Sequence, residues 1–293
     1  MMTDPKFAQN MPGKGRWYVH PHTGEMWPSV TNVLDTAVSK PALVPWAAKA
    51  VAEKAMRELP LLVASMVVKP CSPKRVDEEC GKCKTCRLKQ LKREPGFVKD
   101  TAADLGTRIH AWAEGHVLDR PVVYDPEVEP FGRQLLRFFD EYGVDLEKDI
   151  EASEATIVNR KVGYAGTGDL WVRLRVEGWA RKRLCLIDYK SSSTRPRVSA
   201  YPENGMQLAA LANAETLLLD DGSEVEAPKG IKDVFVLTLR KDGYALIPMP
   251  LTGTLQESFA GFQGALAAAN HLHSQYGVKP VEALPVAAAK AVA

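Results

Sequence analysis

Apolar and polar positions alternate along this chain with two different periods, and the switches between them mark out its elements. Leu43, Trp46, Ala47, Ala50 and Val51 recur at helical spacing, so residues 41–58 are expected to form an amphipathic helix. The same period predicts a helix over 101–118, with Thr101 as its N-cap, and another over 127–142 that buries Phe131, Leu135, Phe138 and Phe139. Three strands are expected at 154–159, 168–176 and 184–190, the first two joined by the glycine-containing run RKVGYAGT. Residues 203–219 read as a helix, 232–239 and 243–249 as a hairpin turning at Lys241-Asp242-Gly243, and 254–275 as a last helix. Ahead of them all, RWYVHPHTGEMWPSVT is β-rich, with a turn at Thr23-Gly24. Residues 1–15 are expected to be a flexible polar lead and 280–293 a disordered, low-complexity tail. The order predicts an α/β fold, a mixed sheet with helices before, between and after its strands.

Composition narrows this only slightly. A chain of 293 residues that is 45% hydrophobic and 25% charged has the makeup of a globular protein with a sizeable core. A formal charge of +2 exerts no strong overall field, so any nucleic-acid surface must be a local patch. The most apolar run, Leu59 to Val68, is interrupted by Pro60 and Ser65 and is too short to span a bilayer. The N-terminus has no secretory apolar region, so a cytoplasmic location with no membrane partner is expected.

Four of the five cysteines change the picture more. Cys71, Cys80, Cys83 and Cys86 follow the spacing C-x8-C-x2-C-x2-C, which reads as a metal site rather than a disulfide framework. Four thiolates suit a structural zinc, and a four-iron cluster is the alternative. The run Cys-Gly-x-Cys-x-x-Cys-Arg resembles the small zinc module of bacterial clamp-loader subunits over about twenty residues. Ten basic and four acidic residues lie between Lys69 and Lys99. That excess suits either contact with a phosphate backbone or an ordinary solvated surface around a stabilising metal. Cys185, alone in an apolar strand, reads as a core residue.

The remaining chemistry sits in LCLIDYKSSS. Period-two geometry puts Leu184, Leu186, Asp188 and Lys190 on one face, with Cys185, Ile187 and Tyr189 on the other. Asp169 opens the preceding strand in Gly166-Thr167-Gly168-Asp169, so pairing of the two strands would make the carboxylates converge. Two close carboxylates repel unless a cation joins them, and hard oxygen ligands suit Mg²⁺ or Mn²⁺. Glu154 begins the first core strand and is a further candidate, as either a metal-directed or a solvated carboxylate.

Taken in order, Gly106-Thr107-Arg108-Ile109-His110-Ala111-Trp112-Ala113-Glu114, the Gly-x-Gly-Asp turn, Asp188-Tyr189-Lys190 and a helix bearing Gln207 resemble the RecB-like branch of the PD-(D/E)XK nucleases. That branch includes phage exonucleases and the related CRISPR-associated nucleases. Pro28-Ser29-Val30-Thr31-Asn32-Val33-Leu34, followed by Trp46-Ala47, also looks like the opening of phage members. The resemblance covers about 16–58 and 101–250. It implies a restriction-endonuclease-like mixed sheet flanked by helices, with residues 16–68 and 100–279 forming the nuclease domain around a Cys-rich insertion at 69–99. It further implies that His110, Asp169, Asp188 and the Tyr189 backbone carbonyl bind the catalytic metal, that Lys190 is catalytic, and that Gln207 holds substrate; Glu154, from its strand position alone, joins Lys190, Asp188 and Asp169 as a catalytic candidate. The expected activity is a Mg²⁺- or Mn²⁺-dependent DNA exonuclease of the phage recombination, replication or repair type. DNA ends, and possible replication or recombination proteins, are its expected partners. Where the family often carries a tyrosine four residues after the glutamine, this chain has Leu211, and Tyr201 is the nearby aromatic. The competing expectation is a non-catalytic DNA- or replisome-binding protein on a retired nuclease fold with a zinc module.

Overall fold

The computed structural model describes residues 5–72, 74–192, 200–275 and 277; the expected tail at 280–293 lies outside them. Ten strands and seven α-helices are described. Strands β1 (Ala8–Met11), β2 (Gly15–Val19) and β3 (Met26–Pro28) form a small antiparallel sheet. Part of the polar lead is therefore ordered pairing. A four-residue strand is too short for its alternation to register in the sequence, and it gains its regularity from β2.

Helix α1 (Val30–Ala37) begins where the Ser29 hydroxyl accepts the Asn32 N–H at 3.0 Å. Helices α2 (Leu43–Arg57) and α3 (Leu59–Ser65) follow, then a 3₁₀ turn at Val76–Glu78 and the helix α4 (Lys84–Val117). The expected start at Thr101 is corrected by this helix of 34 residues. Thr101 lies inside it, with its hydroxyl donating to the Phe97 carbonyl at 2.9 Å. Pro95 and Gly96 look like a break in sequence, and Pro95 does deprive the Leu91 carbonyl of its usual N–H. Tertiary contacts carry the helix through. Glu94 is buried against α2, accepting from Lys54 at 2.6 Å and Arg57 at 3.0 Å.

Helix α5 (Glu129–Glu141) precedes strands β4 (Ile150–Asn159), β5 (Tyr164–Leu174) and β6 (Arg183–Ser191). Helix α6 (Pro202–Ala212) is shorter than expected. Leu217 and Leu218, which continue its apolar pattern, belong instead to β7 (Thr216–Leu218) and pair with Ile157 and Thr156. Strands β8 (Glu224–Glu226), β9 (Asp233–Leu239) and β10 (Tyr244–Met249) and helix α7 (Leu255–Ser274) complete the order.

The seven-stranded sheet runs β10-β9-β6-β5-β4-β7-β8, antiparallel except for the β6–β9 pair. It is a mixed sheet with helices on both faces. On one face Leu186, Trp171 and Val236 pack with Leu208 and Leu211 of α6 and Phe262 of α7. On the other, Cys185, Ile187, Tyr189 and Leu170 meet Ile109 of α4 and Phe131 and Phe138 of α5. The expected two-faced division of β6 holds, and Cys185 is a core residue whose thiol burial pushes to about 12. Helices α2 and α3 pack on α4 and on each other rather than on the sheet. No helix among the described residues is long and apolar enough to cross a membrane.

Arg160 ties the small sheet to the edge of the large one, reaching Glu25 at 3.1 Å and Glu224 at 2.5 Å. The Arg160 hydrogen bonds, aided by the Thr216 hydroxyl against the cost of burial, bring the Glu224 carboxyl down to about 2. A carboxylate depressed in the folded state stabilises it fully above its unfolded value, about 4.3, and loses that contribution as pH falls through the folded one. Glu224→Gln should therefore unfold more readily than wild type in urea at pH 7, with the gap closing between about pH 5 and pH 2. A gap that does not change with pH would show that this pair is not an acid-sensitive tie.

Candidate active site

The β5–β6 ladder ends at Leu170 opposite Ile187. Past that point the strands part, and the next inward-facing backbone N–H, that of Tyr189, donates to Asp169 Oδ2 at 2.5 Å instead of to a strand. The split positions Asp169. Because the N–H and C=O of one extended residue point to the same strand edge, the Tyr189 carbonyl is directed toward the same gap. Gly168 must be glycine here, since a Cβ would come within 2.2 Å of the Trp171 ring.

Asp188 and Lys190 continue the face that carries Leu186. Lys190 Nζ stands 2.5 Å from Asp188 Oδ2, an oxygen that otherwise has no hydrogen-bond partner among the described residues. Gln207, on α6, donates to Asp188 Oδ1 at 2.7 Å. Both aspartates are buried, Asp188 to 2% exposure and Asp169 to 7%.

Glu154 arrives by an irregularity. Ala152 and Ala155 both pack against the α1/α6/α7 core although strict alternation would separate them, and Glu154 between them has φ of 46°. A non-glycine residue in that left-handed region is strained by roughly 1–3 kcal/mol. The twist brings Glu154 Oε1 to 2.9 Å from His110 Nδ1, which lies 3.6 Å from Asp169 Oδ1. One ligand atom each from His110, Glu154 and Asp169 lie within 4.8 Å of one another, a spacing that fits a single metal ion.

The charges explain one another. Burial raises the Asp169 carboxyl, and the neighbouring Glu154 and Asp188 charges add to it, so that it sits at about 7 despite His110 and Lys190. Burial lowers His110, but the Asp169 charge and the Glu154 hydrogen bond outweigh it and lift the imidazole to about 9. Burial also opposes the Lys190 charge, and Asp188 and Asp169 overcome it and raise the ammonium. The proton on His110 is thus a placeholder for positive charge that two buried acids and the half-buried Glu154 demand.

All seven sequence-derived residues, His110, Glu154, Asp169, Asp188, Tyr189, Lys190 and Gln207, line one cleft of about 410 Å³. The metal-spaced triple contains Glu154, whereas Asp188 is engaged by Lys190 and Gln207. Arg16, Tyr18 and Thr31 also line the cleft; Thr31 belongs to the Pro28–Leu34 run singled out in the sequence, whereas nothing local assigns Arg16 and Tyr18 to a site. Tyr18 is fixed by a 2.7 Å hydrogen bond to Thr167, inside the Gly-Thr-Gly run before Asp169. Leu211 lines the wall. Tyr201 caps α6 instead, its N–H donating to Asn204 at 2.8 Å.

The four cysteines form a second centre. Cys71 Sγ lies 3.4, 3.5 and 3.3 Å from the sulfurs of Cys80, Cys83 and Cys86, and Cys80 lies 3.7 Å from Cys86. Four sulfurs about 2.3 Å from one tetrahedral ion would be about 3.8 Å apart. The donor set thus fits one shared metal, and this four-cysteine cluster can hold one. Backbone hydrogen bonds from Cys71 and Cys86 bring Cys83 down to about 6. Cys71, although a backbone bond at Cys80 lowers it, is pushed by the other three thiols to about 12. Without a cation the four cannot all be thiolates.

No protein-family model matches this sequence, and neither does any curated protein.

Strain and crowding at Glu154 predict a trade. Glu154→Gly frees the left-handed backbone and removes one of three close acids, and should make the metal-free protein about 1 kcal/mol more stable in urea denaturation. Equal or lower stability would mean that the His110 contact outweighs both.

Proposed function

We propose that this chain is a Mg²⁺- or Mn²⁺-dependent deoxyribonuclease on a restriction-endonuclease-like fold, acting on DNA ends in phage-type recombination, replication or repair. The observation that carries this reading is the meeting of His110, Glu154 and Asp169 with the Asp188–Lys190 pair in one cleft where β5 and β6 part. Hard carboxylate oxygens and one imidazole suit such a cation, and His110, Glu154 and Asp169 would hold it with the Tyr189 carbonyl nearby. Once bound, it would neutralise charge building on the phosphoryl oxygens during hydrolysis.

The chain's own residues do the rest. The Tyr189 N–H fixes Asp169, and Gln207 fixes Asp188. Asp188 in turn holds Lys190 charged at the cleft surface, where its ammonium can orient an attacking water against phosphorus. Hydrolysis then forms one P–O bond and breaks another; the attacking water gives up a proton to solvent and the leaving oxygen takes one from solvent in the open cleft. Among the described residues nothing in the cleft wall resembles a base-reading helix, which favours selection by ends rather than by sequence.

We assign zinc to the cysteine centre. A four-iron cluster places each thiolate on a different iron and so spreads the sulfurs well beyond the 3.3–3.7 Å seen here.

Asp188→Asn and Lys190→Met should each slow degradation of linear DNA about a thousandfold or more, the equivalent of several kcal/mol of lost transition-state stabilisation. Chelator should stop wild type. A closed circular plasmid should survive while its linear form is lost. Wild-type rates in either variant would remove the assignment, and equal loss of circle and linear form would make the enzyme an endonuclease.

Elemental analysis should find one zinc per chain, and Cys83→Ser with Cys86→Ser should expose the segment around α2 and α3 to protease before the sheet. Iron with acid-labile sulfide would overturn zinc.

A further inference from the structure

Helix α4 belongs to both centres. Cys83 is its N-cap, Cys86 lies in its first turn, and His110 lies beyond its middle. Along it, Lys92, Lys99, Ala103, Gly106 and His110 succeed one another at seven, four, three and four residues, the spacing of a single helical face. Ala103, Gly106 and His110 line the cleft, so this is the cleft's own face continued outward.

That face has the chemistry of a polyanion track. Close to the reaction centre it is small: Ala103 is exposed, and a Cβ on Gly106 would meet only Ser191 Oγ, at 3.7 Å. A backbone can therefore lie against the helix there. Farther out it is basic. Lys92 and Lys99 are exposed, and neither forms an ion pair among the described residues. Four neighbouring cations are committed elsewhere: Arg87 to Glu58, Arg93 to Glu79, and Lys54 and Arg57 to Glu94. Of the acids on this stretch, Asp100 is exposed beside Lys99 at the edge of the track, about 80° round the helix from its centre, and the other two are engaged elsewhere. Glu94 is buried against α2, and Asp104 is held by Arg108.

We infer that a single DNA strand leaves the cleft along this face of α4, its phosphates passing Lys99 and then Lys92 on the way to the cysteine centre. The inference rests on the nuclease reading above and adds the path and the anchoring residues. At about 1.5 Å per residue, Lys99 lies about 16 Å and Lys92 about 27 Å from His110 along the axis. At the stacked rise of about 3.4 Å those are roughly five and eight nucleotides. Affinity should therefore grow with strand length up to roughly eight nucleotides and then level off.

The test measures fluorescence anisotropy of labelled single strands of increasing length over a salt series, with calcium in place of magnesium. Lys92→Glu/Lys99→Glu should weaken binding of a twelve-nucleotide strand at least tenfold. Lys92→Gln/Lys99→Gln, which avoids charge reversal, should lower the slope of log affinity against log salt by about 1.4, two phosphate contacts' worth. The control is Lys148→Glu/Lys241→Glu, the same charge change at exposed lysines away from α4, and it should bind within twofold of wild type. Wild-type affinity and slope in both α4 variants, or equal weakening by the control, would overturn the track while leaving the Asp188 and Lys190 results standing. Failure of wild type to bind DNA at any length would overturn the track and the nuclease reading together.

Discussion

The structure turns on the point at which β5 and β6 stop pairing. Up to Leu170 and Ile187 the two strands satisfy each other's backbone, and beyond it the Tyr189 N–H must find another acceptor. The Asp169 carboxylate is that acceptor, which draws a charge into the protein at the head of an apolar strand pair. Every other feature of the cleft follows from accommodating it. Glu154 is swung in by a left-handed residue, His110 takes a proton, and Asp188 keeps Lys190 beside it. Two buried acids with the half-buried Glu154 beside them have little positive charge of their own, and such clusters concentrate at functional sites.

The second organising element is α4. By running unbroken through Pro95 it joins the four-cysteine centre to the imidazole of the cleft as one body. Glu94, buried between Lys54 and Arg57, locks α2 onto it immediately before the proline. The cysteine segment is thus not a loose appendage. A metal held there would order the beginning of the helix whose other half lines the cleft.

Much of this was legible in the sequence because it depends on period. The two faces of β6, the apolar stripe of α5 and the β9–β10 hairpin all follow from spacing alone. What was not legible depends on contacts distant in sequence. Pro95 and Gly96 signal a break that Glu94 and α2 override. Leu217 and Leu218 fit a helix until Ile157 and Thr156 offer them a strand to join. Glu154 stood as either solvated or metal-directed, since only a departure from alternation turns it to His110. Arg16 and Tyr18 reach the cleft from a small separate sheet, and no local pattern reports that.

The claim that these buried acids form a cation site is tested most directly by unfolding the protein under rising manganese, an ion suited to carboxylates rather than thiolates. Binding to the folded state alone stabilises it by about 2.7 kcal/mol at one hundred times the dissociation constant. The melting temperature of wild type should rise by several degrees with manganese, and that of Asp169→Asn should not. A wild-type melting temperature indifferent to manganese, or an equal rise in Asp169→Asn, would contradict the account.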